Sequence, residues 1–243
     1  MGCERRATEK AGLRALRRIT AWLTAVVALL TSLVVTNSPA MAADLPYGPY
    51  TCANGYVWRD AYAGDQVCVT PAIRTQTATE NALGPSRREP GGGPYGPDTC
   101  KQGYVWRETR PSDHVCVPPS SRDQAYSDNS SAHLRLADPG ATPRGGVSIS
   151  TTLNQLGGRL FANGSGLTPY GAVTFSAVGI GTTRPYGLGT LYADAYGNLP
   201  GWQHVADVWC RSYQTGPATI VVLDVRTGLV TTAGTTTAFL HCG

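Results

Sequence analysis

The chain has 243 residues, of which 42% are hydrophobic, 15% charged and 8% aromatic. An average globular protein has about 25% charged residues, so this composition excludes a charge-rich disordered chain, a coiled coil and a basic nucleic-acid binder. Residues 1–42 account for the whole net charge of +4, because they hold six of the 20 basic residues and two of the 16 acidic ones. The 14 basic and 14 acidic residues that remain cancel, which leaves no charge excess for phosphate backbones.

The first 42 residues have the features of an export signal. A basic stretch ending at Arg18 precedes an uncharged apolar run over residues 19–35, and Ala40-Met41-Ala42 resembles a signal-peptide cleavage site. We therefore predict a signal peptide at 1–42 and a secreted or envelope-associated protein with no membrane contact after cleavage. The alternative is an uncleaved anchor, because the apolar run is at the short end of what spans a bilayer.

An internal duplication follows the leader. Residues 46–82 (the first copy) align without gaps to residues 94–130 (the second copy), with identity at 19 of 37 positions. Each copy holds two cysteines with 15 residues between them, and an exported chain keeps disulfides. A unit this small needs such a staple, which contributes about 3 kcal/mol. Local pairing within each copy predicts the disulfides Cys52–Cys68 and Cys100–Cys116 and leaves Cys210–Cys242.

Each copy is predicted to form a hairpin followed by a helix. Aromatic and β-branched residues predict strands at 55–58 and 66–69, joined by a turn at 60–65. Thr70 and Pro71 suit the N-cap and first turn of a helix over 72–82. In the second copy Pro119 has the same role, before a helix over 120–132.

Two aromatic side chains in each hairpin are candidate binding residues. On a strand, Tyr56 and Trp58 project from one face, and Tyr104 and Trp106 repeat this arrangement. Exposed rings of this kind could stack on sugars. Alternatively, each Trp covers the disulfide and forms most of the core of a very small unit.

An arginine and an aspartate also recur at identical spacing in the two copies. They are Arg59 with Asp65, and Arg107 with Asp113. Closing the hairpin brings these positions together, which favours an ion pair. The other interpretation is that each arginine forms half of a ligand clamp.

The duplicated unit resembles a Cys and Trp module found in secreted actinobacterial proteins. The resemblance rests on the stretch from Thr99 to Glu108 (TCKQGYVWRE) and on Asp113-His114-Val115-Cys116-Val117. The resemblance implies export and a modular design. It does not indicate an activity. The first copy departs from the pattern at Ala53-Asn54 and has Gln66 where the second has His114.

Composition predicts two linkers and three units after the signal peptide. Segments 84–93 and 134–146 are rich in Gly, Pro and Arg without periodicity, which is typical of flexible linkers. The predicted units are residues 43–83, 94–133 and 147–243.

The last 97 residues alternate short β-prone runs with turn residues, which predicts an antiparallel sandwich. Its turns at Gly164-Ser165-Gly166 and Asp194-Ala195-Tyr196-Gly197-Asn198 resemble those of bacterial immunoglobulin-like domains. The whole protein is thus predicted to be mainly β, with two disulfide-stapled hairpin-plus-helix repeats before an Ig-like sandwich. Strands are predicted at 147–153, 159–163, 172–178, 188–193, 203–208, 218–225 and 235–241.

The sequence offers little catalytic chemistry. His204 and Asp207 are three residues apart, so on a regular strand they would point to opposite faces and could not form a couple. Asp194 with Asn198 could bind Ca²⁺, although a plain turn uses the same residues. We predict no cofactor, no metal site and no enzymatic activity.

These features favour a secreted, non-catalytic modular protein that binds at the cell envelope or to extracellular glycans. The predicted binding residues are those of the hairpins, and two weak sites on a flexible linker would gain from avidity. The partner is expected to be a cell-wall or extracellular glycan, or another secreted protein. Two alternatives stay open. One is a disulfide-stapled protease inhibitor that presents a rigid loop such as 60–65, and the other is a hydrolase with unrecognised catalytic residues.

Overall fold

The computed structural model describes residues 45–154, 157–179, 184–209 and 217–236. In these ranges the protein is mainly β, with antiparallel sheets and two α-helices. No helix there is long and apolar enough to cross a membrane. The strands are β1 (Val57–Trp58), β2 (Cys68–Val69), β3 (Val105–Trp106), β4 (Cys116–Val117), β5 (Val147–Asn154), β6 (Gly157–Gly164), β7 (Ala172–Val178), β8 (Tyr186–Tyr192), β9 (Leu199–Trp209), β10 (Ala218–Asp224) and β11 (Leu229–Thr236), and the helices are α1 (Pro71–Leu83) and α2 (Pro119–Ser130).

Each copy of the duplication forms a short hairpin followed by a helix. β1 pairs antiparallel with β2, and β3 with β4 in the same register. Both hairpins are shorter than predicted, because a turn lies directly before the first strand of each, where Tyr56 donates its N–H to the Ala53 carbonyl at 3.0 Å and Tyr104 donates to the Lys101 carbonyl at 3.1 Å. α1 lies where the sequence predicts it, and Thr70 accepts the Ile73 N–H at its start. α2 ends at Ser130, two residues earlier than predicted.

A disulfide joins the two ends of each hairpin, as the duplication predicted. Cys52 is bonded to Cys68 and Cys100 to Cys116, and the Cα atoms are 5.6 Å apart in both pairs. The predicted Cys210–Cys242 bond and the predicted signal peptide lie outside the described residues.

The chain segment that follows each helix forms backbone hydrogen bonds with the opposite copy. The first arm (residues 84–90) pairs with the second copy, where Lys101 donates its N–H to Arg87 and Glu89 donates to Thr99, both at 2.9 Å. The second arm (residues 132–138) pairs with the first copy. There Ala53 donates to the Arg135 carbonyl and Ala137 donates to the Thr51 carbonyl, again at 2.9 Å. Each copy is therefore hydrogen-bonded to the arm that extends from the other copy.

This exchange makes the pair of copies approximately two-fold symmetric. Tyr62 and Arg110 occupy the same position in the two copies, and they contact each other, with the guanidinium carbon 3.8 Å from the ring centre. The helices meet nearby, where Gln76 Nε2 donates to Ser121 Oγ at 3.2 Å. Segments 84–90 and 134–138 were predicted to be parts of flexible linkers. They are hydrogen-bonded instead, because their free backbone groups complete the sheet edges of the opposite copy.

The C-terminal part contains two antiparallel sheets. One has the strand order β11-β10-β7-β8 and the other β5-β6-β9. Six of the seven strands lie close to their predicted positions. The last one, β11, begins earlier than predicted and shares only residues 235 and 236 with the predicted strand at 235–241, the rest of which falls outside the described residues.

Buried residues of both sheets share one apolar cluster. β6 contributes Leu160 and Ala162, β7 contributes Val173 and Phe175, and β10 contributes Ile220, all completely buried. Alternate residues of each strand point to this core, as expected for two sheets that each bury one face.

A second apolar cluster joins the duplicated copies to the outer face of the four-stranded sheet. Val221 and Leu223 of β10 pack with Val67 and Val69 of the first copy, and all four are at most 5% exposed. The first copy approaches the sheet closely at Gly228, where an added Cβ would lie 2.6 Å from Val67 Cγ2. β10 is therefore buried on both faces, which explains its nearly uninterrupted apolar sequence.

A β-bulge in β9 changes the pairing that the sequence predicted for His204 and Asp207. The register advances from Leu160 opposite Ala206 to Phe161 opposite His204, so Val205 has no partner. The extra residue places His204 and Asp207 on one face, with Nε2 and Oδ1 3.1 Å apart. The expectation that they point to opposite faces was wrong, because it assumed a regular strand.

Candidate functional site

Each copy of the duplication has a surface pocket built from the same residues. The first pocket has a volume of about 300 Å³ and the second about 260 Å³. Every lining residue of the first pocket has its identical counterpart in the lining of the second, so the copies present one site twice. The first is lined by Tyr47, Cys52, Tyr56, Val57, Trp58 and Arg74, and the second by Tyr95, Thr99, Cys100, Tyr104, Val105, Trp106, Glu108 and Arg122.

The tryptophan of each pocket is half-buried and held by its indole N–H. Trp58 Nε1 donates to the Tyr50 carbonyl at 2.8 Å, and Trp106 Nε1 donates to the Asp98 carbonyl at 2.7 Å. Trp58 also packs against the second apolar cluster. Each indole N–H thus holds its ring against the fold, and the same ring lines the pocket.

A second aromatic ring stands at right angles to each tryptophan. Tyr47 lies edge-on to Trp58 with ring centres 6.0 Å apart, and Tyr95 lies edge-on to Trp106 at 5.8 Å. These tyrosines are 70% and 74% exposed. Their exposure leaves a ring face free to contact a ligand, whereas the sequence interpretation did not include them.

The third ring of each pocket is positioned by the opposite copy. The Arg135 guanidinium of the second arm lies 5.5 Å from the centre of the Tyr56 ring, and Arg87 of the first arm lies 5.0 Å from that of Tyr104. Arg87 and Arg135 also donate to the carbonyls of the second cysteine of the copy they contact. The exchanged arms therefore hold the pocket walls in place.

The two predicted arginines, Arg59 and Arg107, do not face the pockets. They are 1% and 2% exposed. Arg59 donates to both oxygens of Asp65, at 2.8 and 3.1 Å, and Arg107 donates to Asp113 in the same way, at 2.9 and 3.2 Å. This bidentate geometry is the ion pair across the hairpin and leaves no surface for a ligand clamp.

The second of these ion pairs sets the charge state of its carboxylate. Burial alone would raise the pKa of Asp113, but the hydrogen bonds and charge of Arg107, together with the hydrogen bonds of Thr109, outweigh burial and lower that pKa below its usual value. Asp113 therefore stays ionised at neutral pH, so both buried charges are compensated.

An arginine from the helix completes each pocket. Arg74 lies in α1 and Arg122 at the same position of α2. Sequence reasoning missed both, although each is identical between the copies and lies three residues after the proline that begins the helix. Identity across the offset of 48 was the signal that could have found them, together with Tyr47 and Tyr95.

The second pocket has an additional support behind its tryptophan. His114 stacks on Trp106 with ring centres 4.0 Å apart, and His114 Nδ1 lies 3.1 Å from Asp98 Oδ2. Asp98 also pairs with Arg88 of the first arm, at 3.0 Å. The first copy has Gln66 and Tyr50 at the positions of His114 and Asp98, so the duplication is not exact here.

The other sequence candidates lie away from the pockets. Asp194 Oδ1 accepts the N–H groups of Tyr196 and Asn198, both at 2.8 Å, and so caps its own turn. His204 and Asp207 form an exposed pair on β9, and Arg159 joins it at 3.4 Å from Asp207. Across the described ranges, no group of three or more His, Cys, Asp or Glu could hold a metal.

Comparison with known proteins adds no relative: no family model, curated protein or solved structure matches this chain.

Proposed function

We propose that this chain is an exported, non-catalytic binding protein whose two copies each hold a sugar ring of an extracellular or cell-wall glycan. The observation that carries the proposal is the repeated pocket, in which three aromatic rings and one arginine recur at identical positions. Apolar faces of sugars stack on aromatic rings, and charged or polar side chains at the rim bind their hydroxyl groups.

Two further features support this assignment. Both described disulfides are typical of proteins that fold in an oxidising compartment, in agreement with the signal peptide predicted at 1–42. The seven described C-terminal strands lie in antiparallel sheets of three and four, and this number of strands supports an Ig-like sandwich. We propose that this sandwich is the scaffold that presents the two pockets, within the modular architecture of secreted actinobacterial proteins.

The packing of the copies also bears on the inhibitor alternative. An inhibitory loop must project far enough to enter an active site. Tyr62 in the loop 60–65 is instead covered by Arg110, and Asp65 is 2% exposed. The geometry therefore favours the pockets over the loop as the binding surface.

Binding to insoluble glycans tests the proposal. The full chain, recovered from culture medium with its disulfides intact, is incubated with peptidoglycan, chitin and other polysaccharides. We expect Tyr47→Ala with Tyr95→Ala to weaken binding about two- to tenfold per site, because a stacked ring contributes about 0.5–1.5 kcal/mol. Tyr196→Ala removes a tyrosine that is 85% exposed and lines neither pocket, and serves as the matched control.

The Trp58→Ala, Trp106→Ala double variant is a stronger disruption of the same walls, and its fold is checked by circular dichroism. Retention of a glycan by the tyrosine double variant equal to that of Tyr196→Ala would contradict the proposal, as would a chain that binds none of the polysaccharides.

A further inference from the structure

The two pockets differ in the charge that they offer to a ligand. In the first, Arg74 Nη2 pairs with Asp60 Oδ2 at 2.6 Å, and both side chains are about half exposed. In the second, Glu108 replaces Asp60, and Arg122 has no ion pair within the described residues. The guanidinium of the second pocket is therefore free to bind an anion.

The two acidic residues differ in side-chain length. Asp60 and Glu108 have nearly the same left-handed φ, 56 and 57, but Glu108 is one methylene longer. Glu108 lines the second pocket together with Arg122 and forms no ion pair with it. The second pocket therefore contains an acidic and a basic side chain that are not paired with each other.

The second pocket shares two lining residues, Glu108 and Arg122, with a neighbouring cavity of about 260 Å³. Tyr126, which is 55% exposed, and Arg226 also line this cavity. Arg226 likewise has no ion pair in the part of the chain that the structure describes. The pocket and this cavity together form a groove that is bordered by Arg122 and Arg226, and by Arg107, which is bound to Asp113.

We propose that the second copy binds an acidic oligosaccharide, with a uronate carboxylate on Arg122 and the neighbouring sugar unit extending towards Arg226. A guanidinium binds a carboxylate through two parallel hydrogen bonds, which a neutral sugar cannot form. Glu108 and Asp123, which border the same groove, accept hydrogen bonds from sugar hydroxyls. The first pocket prefers neutral sugars, because a uronate would have to displace Asp60 from Arg74. This inference rests on the proposed function and names its ligand class.

Calorimetric titration of the full chain tests it with two probes of equal length. One is an oligogalacturonate, and the other is the same oligosaccharide with its carboxyl groups reduced to alcohols. We expect the acidic probe to bind at least tenfold more tightly, with a preference that declines as salt is added. Arg122→Gln should reduce the preference to less than about threefold. Arg159→Gln, at an arginine that lines neither pocket and whose side chain is 65% exposed, should leave it unchanged.

The outcomes separate this inference from the proposed function. Equal affinity for the two probes, or an equal effect of Arg122→Gln and Arg159→Gln, would overturn the acidic preference. If the neutral probe still binds and Tyr95→Ala weakens it, the proposed function stands without the inference. Failure of both probes to bind would count against both.

Discussion

Arg59 and Arg107 occupy the same position in the two copies, yet their hydrogen bonding differs. Arg59 Nη1 donates to Asn129 Oδ1 at 2.9 Å. In the other copy, Arg107 Nη1 and Asn81 Oδ1 are both buried with no hydrogen-bond partner among the described residues. Arg107 Nη1 lies instead 3.8 Å from Glu80 Oε2.

This difference predicts unequal costs for two equivalent substitutions. Asn129→Ala removes a bond to a buried guanidinium and bonds to the Thr109 and Arg226 carbonyls, so it should lower the free energy of unfolding by about 3 kcal/mol. Asn81→Ala removes its bond to the Ala61 carbonyl and should cost about 1 kcal/mol. Urea unfolding with the disulfides intact measures both. Equal losses of unfolding free energy in the two variants would show that the bonds from Asn129 to Arg59 and to the Arg226 carbonyl add no stability.

His133 predicts a loss of stability in mild acid. Burial lowers the pKa of its imidazole, and Nδ1 has no hydrogen-bond partner within the described residues. Below pH about 6.5 the unfolded chain takes up a proton there, whereas the folded chain does not until the pH reaches its lower pKa. The free energy of unfolding should therefore fall as the pH drops through this window.

Urea unfolding at pH 8 and pH 5 measures this effect, and His133→Phe provides the comparison. Because the variant has no group to titrate at this position, its unfolding free energy should decline less between the two pH values. At pH 8 the imidazole is neutral in both states, so that measurement isolates the change in packing. An unchanged decline in His133→Phe would assign the acid sensitivity to other groups.

Each disulfide staples a hairpin that is also an attachment point for the opposite arm. Isolated bridges join Cys52 to Leu136 of the second arm and Cys100 to Arg88 of the first arm. Replacing either cysteine pair with alanine should lower the unfolding free energy by about 3 kcal/mol, the value for a loop of this length. Thermal unfolding of the two double variants, Cys52→Ala with Cys68→Ala and Cys100→Ala with Cys116→Ala, checks this. A lower unfolding temperature in only one of the two double variants would show that the two disulfides do not contribute equally to stability.

The elements that the sequence predicted well are those with local signals. The helix after Pro71 begins with its own cap, and six of the seven C-terminal strands follow from β-prone runs between turns. The bulge at Val205 has no such signal, because it depends on how β9 pairs with β6. A prediction that assumed strict alternation therefore separated His204 from Asp207, which are in contact.

The arms and the pockets also depend on contacts between distant parts of the chain, which local sequence signals do not predict. Segment 84–90 is rich in Pro and Arg, and residues 134–138 were assigned to a linker together with the Gly- and Pro-rich stretch that follows them, but both segments pair with residues of the opposite copy. Tyr56 and Trp58 were chosen as neighbours on a strand. Tyr47 and Arg74 come from a preceding turn and a following helix, and only the fold brings them to the same pocket.

At the scale of the whole molecule, the exchanged arms predict that damage in one copy appears in the other. Arg87 contacts Tyr104 and donates to the Cys116 carbonyl, so Arg87→Ala should accelerate hydrogen exchange in residues 105–117. Arg135→Ala should accelerate exchange in residues 57–69, because Arg135 contacts Tyr56 and donates to the Cys68 carbonyl. Mass spectrometry of peptides from the intact chain resolves the two regions. Exchange that increases only in the copy carrying the substitution would contradict the interlocked arrangement.

The reciprocal arms also impose an order on folding in the proposed export. The chain is translocated from its N-terminus, so Cys68 is available to Cys52 long before Ala137 arrives to pair with Thr51. The first hairpin can be oxidised early, but its open edge waits for about seventy further residues, whereas the second copy finds the first arm already present. An interruption of translocation between these points would hold an intermediate with one exposed strand edge, which is prone to pair with a neighbouring chain.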